Sequence, residues 1–360
     1  MIKSYKSVNT RSTPQQQPVI GENMVANSGG GYGFEIDKWA RLNRFLILGT
    51  ESNTYYSSAE DLTKHNTDNL LACIKEDGKR VVNIIVDISD RGLSIKNDAC
   101  LFALAFASAQ NETKEYALSK LDKVARFSTH LFHFNQFVEQ FRGRGRGLNR
   151  TIREWYQNRS IDSLAFQIVK YQSRDGWSHR DVLRLVKPVP KSEEESAIYR
   201  WAVGKGIGAN DRPVHKLIQG FELAKLSEKP DPKLIADYRL TVEMIPTNWL
   251  NNSNIWEALL PNLGLTAVIR SLAKMTTVGF LQPMSVASKV VSDLITNKEQ
   301  LKAKRVHPVS ILSALKVYSQ GHGERGSLTW SPVPSIIDSL DEAIYLAFNL
   351  VPPTNLKYMI

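Results

Sequence analysis

From Glu35 onward, apolar residues recur at the spacing of helices that bury one face. Leu265, Val268, Ile269, Leu272 and Met275 fall on one such face, and Leu148, Ile152 and Trp155 repeat the spacing. Ile311, Leu312, Leu315 and Tyr318 repeat it again, in a segment opened by Pro308 and closed by Gly321. Residues 81–89 (Val-Val-Asn-Ile-Ile-Val-Asp-Ile-Ser) are the one run that also fits a buried strand; Val82, Ile85 and Ser89 suit a helix as well, and helix is the reading adopted. Residues 1–33 lack periodicity and end in Ser28-Gly29-Gly30-Gly31-Tyr32-Gly33, which predicts a flexible N-terminal arm and leaves 34–360 as the folded domain.

Many helices of about 10–20 residues separated by Gly, Pro, Asn and Asp predict an all-α protein of stacked helix pairs, a solenoid. No tetratricopeptide or ankyrin consensus is legible, which leaves the degenerate HEAT or armadillo class, with room for roughly seven units of about 40–47 residues. The stretch Lys187 to Pro232, with five prolines and the run Glu193-Glu194-Glu195, fits either a linker between two lobes or a loop on one continuous array.

Composition narrows the partners. The chain has 360 residues, a formal net charge of +10 and a pI near 9.4, so polyanions come first. No apolar run approaches the ~18 residues of a spanning helix, and Met1 to Pro18 is polar, without the apolar region of a secretory signal. A cytoplasmic location is expected. Cys73 and Cys100 sit among apolar residues and read as reduced core thiols.

Charge is concentrated. Between Arg126 and Pro190 stand twelve Arg or Lys against five acids, so +7 of the +10 lies in 65 residues. Arg146, Arg150 and Arg153 are spaced i, i+4, i+7, as are Arg180, Arg184 and Lys187, so each triplet projects from one helix face. Like charges so spaced repel, which a bound polyanion would relieve. Lys170 and Arg174 lie between the stripes, and Arg142-Gly143-Arg144-Gly145-Arg146-Gly147 resembles flexible arginine-glycine segments that order on RNA. Ser178 with Asp181 three residues on predicts a capped helix start, where backbone N–H groups favour phosphate. These eleven residues, His179 with the ten cations just named, are the candidate RNA-binding set.

Other motifs fail on context. His130 and His133 are spaced for a metal, but no further ligand stands at a suitable distance in sequence. Gly321-His322-Gly323-Glu324-Arg325-Gly326 matches the dinucleotide fingerprint in letters, yet follows a helix and belongs to no βαβ unit, so it reads as a loop. Asp87-Ile88-Ser89 begins like the Asp-x-Ser-x-Ser metal motif of von Willebrand A domains, but Arg91 stands where the second Ser belongs. No nucleophile elbow, Walker loop or His-Glu-x-x-His occurs, so no enzymatic activity, metal or cofactor is expected.

Five ordered blocks carry a family resemblance: Arg44-Phe45-Leu46-Ile47-Leu48-Gly49-Thr50-Glu51 with Thr54-Tyr55-Tyr56; Thr129-His130-Leu131-Phe132 with Phe137; Gly176-Trp177-Ser178-His179-Arg180-Asp181-Val182-Leu183-Arg184-Leu185; Leu265-Thr266-Ala267 with Arg270 and Lys274-Met275-Thr276; and His307-Pro308 followed by Gly321-His322-Gly323 with Arg325-Gly326. From about Gly33 to the end the chain resembles the TROVE domain of the Ro ribonucleoprotein. The resemblance implies a ring of HEAT-like repeats that binds small noncoding Y RNA on its outer basic surface and takes single-stranded 3′ ends of defective RNA into a central cavity, in RNA quality control. In bacterial relatives the Y RNA can tether a 3′-to-5′ exoribonuclease. His179 matches a position needed for Y RNA binding. Ro proteins continue into a von Willebrand A domain with a metal site, whereas this chain stops at Ile360, as a truncated piece or a protein of this domain alone would. The competing classes are a protein-binding helical scaffold and a nuclease.

Overall fold

The computed structural model of the chain describes residues 17–18, 23–27, 30–49, 59–205, 214–324 and 326–351. The folded domain opens with α1 (Lys38–Leu48), α2 (Ala59–Arg91) and α3 (Asp98–Ala109), followed by the short α4 (Lys114–Ser119) and α5 (Leu121–Val124). The middle comprises α6 (Ser128–Phe141), α7 (Arg146–Gln157), α8 (Ile161–Lys170), α9 (His179–Val186), α10 (Glu193–Ala202), α11 (Lys216–Leu226), α12 (Pro232–Tyr238) and α13 (Ser253–Leu259). The chain then runs through α14 (Leu265–Thr277), α15 (Val286–Ile295), α16 (Lys298–Ala303), α17 (Pro308–Ser319) and α18 (Pro334–Phe348). Most helices pack on neighbours close in sequence (α1 on α2, α3 on α6, α7 on α9, α11 on α12, α17 on α18), as the all-α solenoid expectation requires. One apolar core runs through the array from Leu42 to Ala347. Among the described residues no helix is long and apolar enough to cross a membrane.

The periodic segments fold as expected. In α14 the buried residues are Leu265, Val268, Ile269, Leu272 and Met275, and in α7 they include Leu148, Ile152 and Trp155. Residues 81–89 are helical: they lie in the second half of α2, where Val81, Val82, Ile85, Ile88 and Ser89 are buried at steps of three to four. That half starts anew at Asp77, whose φ of −151° and ψ of 87° break the helix and whose carboxylate accepts from the Arg80 N–H at 2.9 Å, as an N-cap does. Cys73 and Cys100 are buried free thiols, and burial pushes the Cys100 pKa up to about 11.

Two expectations need revision. The end of the segment read as a flexible arm forms a hairpin, β1 (Met24–Ala26) antiparallel to β2 (Tyr32–Phe34). In its turn Gly30 has a φ of +77°, and the Asn27 side chain accepts from Gly31 N–H at 3.1 Å. Residues 1–16 lie outside the described residues. The stretch 187–232 contains α10 and α11 and is no bare linker or loop. There the run Glu193-Glu194-Glu195 occupies the first turn of α10 behind the Ser192 N-cap, where acids complement the helix dipole.

The two ends of the array meet. Arg305, just after α16, bonds the Asp90 carboxylate at 2.8 Å and also the Asp90 backbone carbonyl, across 215 residues of sequence. Its stem lies over Gly92, which has a φ of +68°, and a Cβ on Gly92 would come within 2.6 Å of the Arg305 Cβ. A cavity of about 600 Å³, lined by Leu93, Leu301, Pro308, Ala347 and Leu350 among others, lies beside the contact. Among the described residues the contact closes the array on itself through the Arg305–Asp90 ion pair and the close approach of Gly92 to the Arg305 stem.

An exposed pair of this kind contributes about 0–1 kcal/mol, whereas Gly92→Ala combines a left-handed backbone with a clash and costs more than about 1 kcal/mol. Thermal melts are therefore expected to show a larger midpoint loss for Gly92→Ala than for Asp90→Ala. Arg305→Gly, which removes the Cβ that the new methyl meets, is expected to recover part of the Gly92→Ala loss; strictly additive effects of the two substitutions would mean that the two ends do not touch in solution.

Candidate nucleic-acid interface

The two basic stripes lie on neighbouring helices. α7 begins after Gly145 and buries Leu148, Ile152, Trp155 and Tyr156, which leaves Arg146 and Arg150 exposed. α9 buries Val182, Leu183 and Val186, which leaves Arg180 and Arg184 exposed. Lys187 follows in left-handed backbone (φ 46°), exposed at the end of the same stripe. Arg153 joins the two helices, its Nε donating to the Val186 carbonyl at 3.0 Å. Between α8 and α9 runs a second hairpin, β3 (Ser173–Arg174) paired with β4 (Trp177–Ser178), which holds Arg174 exposed.

Of the twelve cations between Arg126 and Pro190, six are exposed: Arg146, Arg150, Arg174, Arg180, Arg184 and Lys187. The other six are half-buried and tied to the fold. Arg126 donates to the Ser89 carbonyl at 2.9 Å, and Arg142 to the Ser108 carbonyl at 2.6 Å. Arg144 lies over the Trp177 ring at 4.6 Å and reaches Asn135 and Asn149 at 3.4 Å, while burial lowers its pKa. Arg153 holds α9, and Arg159 lies over Trp155 at 3.4 Å while donating to the Arg126 carbonyl at 3.1 Å. Lys170 sits 5.3 Å from the rings of Phe166 and Tyr171 and 3.8 Å from Glu243. The arginine-glycine segment is therefore an ordered turn between α6 and α7: Gly143 supplies a φ of +67°, Gly145 caps α7, and of its three arginines Arg146 alone is exposed.

His179 is 3% exposed and stands among three elements. Its Nδ1 accepts from the Tyr156 hydroxyl of α7 at 2.8 Å, and its Nε2 donates to the Gln167 carbonyl of α8 at 3.3 Å. The ring meets Phe132 of α6 edge-on at 4.9 Å. A carbonyl can only accept, so Nε2 carries a proton, and burial away from water keeps the ring neutral, with Nδ1 free to accept. Burial lowers its pKa to about 3. With both nitrogens engaged inside the core, the imidazole cannot touch a ligand directly; it positions α9 against α7 and α8.

The capped start of α9 is present, with consequences for phosphate. The Ser178 hydroxyl accepts from the Asp181 N–H at 3.3 Å, and the Asp181 carboxylate accepts from the Ser178 N–H at 3.0 Å. The His179 N–H goes to the Gln172 carbonyl at 3.4 Å. The helix start is thus filled by its own carboxylate and offers phosphate little, while the side chains of Arg180 and Arg184 remain exposed.

His130 and His133 are not a metal pair. His130 is buried against Phe127, 3.6 Å between rings, and burial lowers its pKa to about 3; His133 pairs with Asp175 in the hairpin turn and lies 3.9 Å from Asp98. Among the described residues no cluster of His, Cys, Asp and Glu has the form of a metal site. Gln167 and Tyr156 escaped sequence reading although they hold the interface together. Gln167 serves twice, since its side-chain oxygen also accepts from the Ser128 N–H at 2.8 Å. Nothing in the spacing of a glutamine or a tyrosine on an amphipathic helix marks such a role.

A closed array of helix pairs with one arginine-rich face places the chain in the class of helical-repeat proteins. The TROVE domain family matches residues 25–210 and 233–317, and the chain belongs to that family. It is 32% identical to an RNA-binding protein RO60 of Deinococcus radiodurans over all of this chain and 68% of that one. It is 29% identical to an RNA-binding protein RO60 of Caenorhabditis elegans over 97% of this chain and 66% of the other. Its fold matches the crystal structure of the Deinococcus radiodurans RO (RSR) protein with a TM-score of 0.70 and 33% identity, over 89% of this chain and 65% of that one. The chain thus spans about two thirds of the length of these relatives.

His130 and His179 make stability depend on pH. Unfolded, each takes up a proton below ~6.5; folded, each resists until about 3. Their stabilising contribution is complete above ~6.5 and is lost as pH falls towards 3, by up to about 1.4 kcal/mol per pH unit for each ring. Thermal melts at pH 7 and pH 5 are expected to show a marked loss of midpoint, and His179→Phe a smaller one from its own lower starting point. An equal loss in both proteins would show that His179 is not buried neutral.

Proposed function

We propose that the chain is an RNA-binding protein, not an enzyme, that holds a small structured noncoding RNA of the Y type on the face formed by α7, α9 and the β3–β4 hairpin. The observation that carries this reading is the segregation of cations. Arg146, Arg150, Arg180, Arg184 and Lys187 are exposed on two packed helices and, among the described residues, none has an ion-pair partner; Arg174 projects beside them, 3.6 Å from Asp175. Such a face repels itself and is relieved by phosphates, which position RNA without reading its sequence. Arg142, Arg144, Arg153 and Lys170 belong to the same site as supports, and His179 acts through the placement of α9. The names of the relatives, RNA-binding proteins of the RO60 type, support the same ligand.

The finer features follow from the family and form part of the proposal: single-stranded 3′ ends of defective RNA enter a central cavity, and a bound Y-like RNA tethers a 3′-to-5′ exoribonuclease. Shape would supply the selectivity, because a free single strand threads a hole and a duplex does not. Cytoplasmic quality control of noncoding RNA is the corresponding setting. A helical protein-binding scaffold is the competing reading, suggested by the repeat fold alone.

Filter binding of a Y-like stem-loop as a function of salt tests the phosphate contacts. Arg180→Glu with Arg184→Glu is expected to weaken binding and to flatten the slope of log affinity against log salt by about 0.7–0.9 for each phosphate no longer neutralised. A slope equal to that of the unaltered chain would place the RNA elsewhere. Purified protein is further expected to carry a raised 260/280 nm absorbance ratio that falls after a high-salt wash, whereas a scaffold shows a protein-like ratio before and after.

A further inference from the structure

At the end of α9 the chain turns sharply and builds a pocket that phosphate contacts leave unused. Lys187 takes left-handed backbone, and Pro188 and Pro190 follow with φ fixed by their rings. The turn is pinned to α7: Gln157 Nε2 donates to the Val189 carbonyl at 2.8 Å, and Lys191 Nζ donates to the Gln157 carbonyl at 2.5 Å. Across from it stands α10, where the buried Tyr199 is held by its hydroxyl, which donates to Glu195 at 2.6 Å. The other Glu195 oxygen accepts from the Lys191 N–H at 2.5 Å, so turn and helix are locked together.

Between them opens a cavity of about 170 Å³, with Leu183, Pro188, Pro190, Tyr199 and Val203 in its wall and Ser196 on the α10 side. Lys187 and Arg200 line it as well, both exposed. Its volume is below the roughly 300 Å³ at which pockets for drug-sized ligands begin, so it suits one flat ring system. Its proline and tyrosine walls suit the faces of such a ring, and Lys187 at its mouth suits an adjoining phosphate. Lys187 belongs both to the pocket and to the stripe of α9, so an anion chain lying on Arg180, Arg184 and Lys187 ends at the mouth.

We propose that this pocket receives one unpaired nucleobase of the RNA whose phosphates lie along α9, a deepening that rests on the RNA-binding reading above. A paired base has to give up its pairing and stacking to enter, whereas an unpaired one enters at much lower cost. The pocket thereby adds selection for an unpaired position at a set distance from the phosphates.

Two probes separate base from backbone: a stem-loop RNA carrying one unpaired 2-aminopurine in its stem, and the same RNA with an abasic residue there. The unaltered chain is expected to bind the first about fivefold more tightly, equivalent to roughly 1 kcal/mol of stacking at 1.4 kcal/mol per decade, with a change in 2-aminopurine fluorescence. Ser196→Trp, which fills the cavity, is expected to remove this ratio and leave abasic binding unchanged. Val203→Phe fills it from another position and serves where Ser196→Trp lowers the thermal midpoint. Equal binding of the two probes by the unaltered chain, or a ratio that survives both fillings, overturns the pocket while leaving RNA binding intact. Failure to bind either probe overturns the RNA-binding reading and the pocket with it.

Discussion

An imidazole without access to water has to stay neutral and has to satisfy both of its nitrogens, and His179 does so with groups from two other helices. Its donor goes to a backbone carbonyl of α8 and its acceptor takes the hydroxyl proton of Tyr156 on α7, while its own backbone begins α9. Three helices are thereby held at one point by bonds that tolerate little displacement. The two arginine stripes ride on two of these helices, so the spacing between rows of charge is set from below, by neutral groups. A surface that repels itself needs such a foundation, because its own charges act to spread it.

The remaining cations of the segment show the same division of labour. Arg126, Arg142, Arg144, Arg153 and Arg159 direct their guanidinium groups at backbone carbonyls, amide side chains or indole rings. A guanidinium carries five donors and a flat face, which makes it an effective clamp at helix ends, where carbonyls lack partners. Arg153 on the final carbonyl of α9 is the clearest case. The local excess of positive charge thus divides between cations that hold the fold together and cations that face solvent. Screening by salt bears mainly on the exposed half, since half-buried cations with fixed partners feel it less.

Closure of the array follows a different rule from its interior. Within the array, neighbouring helices share buried apolar surface; at the seam Arg305 meets Asp90 and Gly92 beside an open cavity. Each helix pair has to bury its own hydrophobic face whatever happens far away, whereas the meeting of the ends depends on the summed curvature of every repeat between them. A polar contact with a glycine cleft tolerates small differences in that sum better than an interdigitated core does.

The sequence by itself determined the helices, their buried faces, the capped start of α9 and the pair of arginine stripes, because these depend on spacing within a few residues. The blocks from Arg44 to Gly326 also sufficed to indicate the family. Periodicity failed where elements are shorter than a period: the three-residue strands around Gly30 read as an arm, and the arginine-glycine turn read as a flexible segment. Only the tertiary structure decided which of twelve cations face solvent, that His179 lies inside, and that Asp90 meets Arg305. Those outcomes depend on contacts between residues tens to hundreds of positions apart, and a carbonyl or a ring that captures a guanidinium leaves no mark on the residues beside it in sequence.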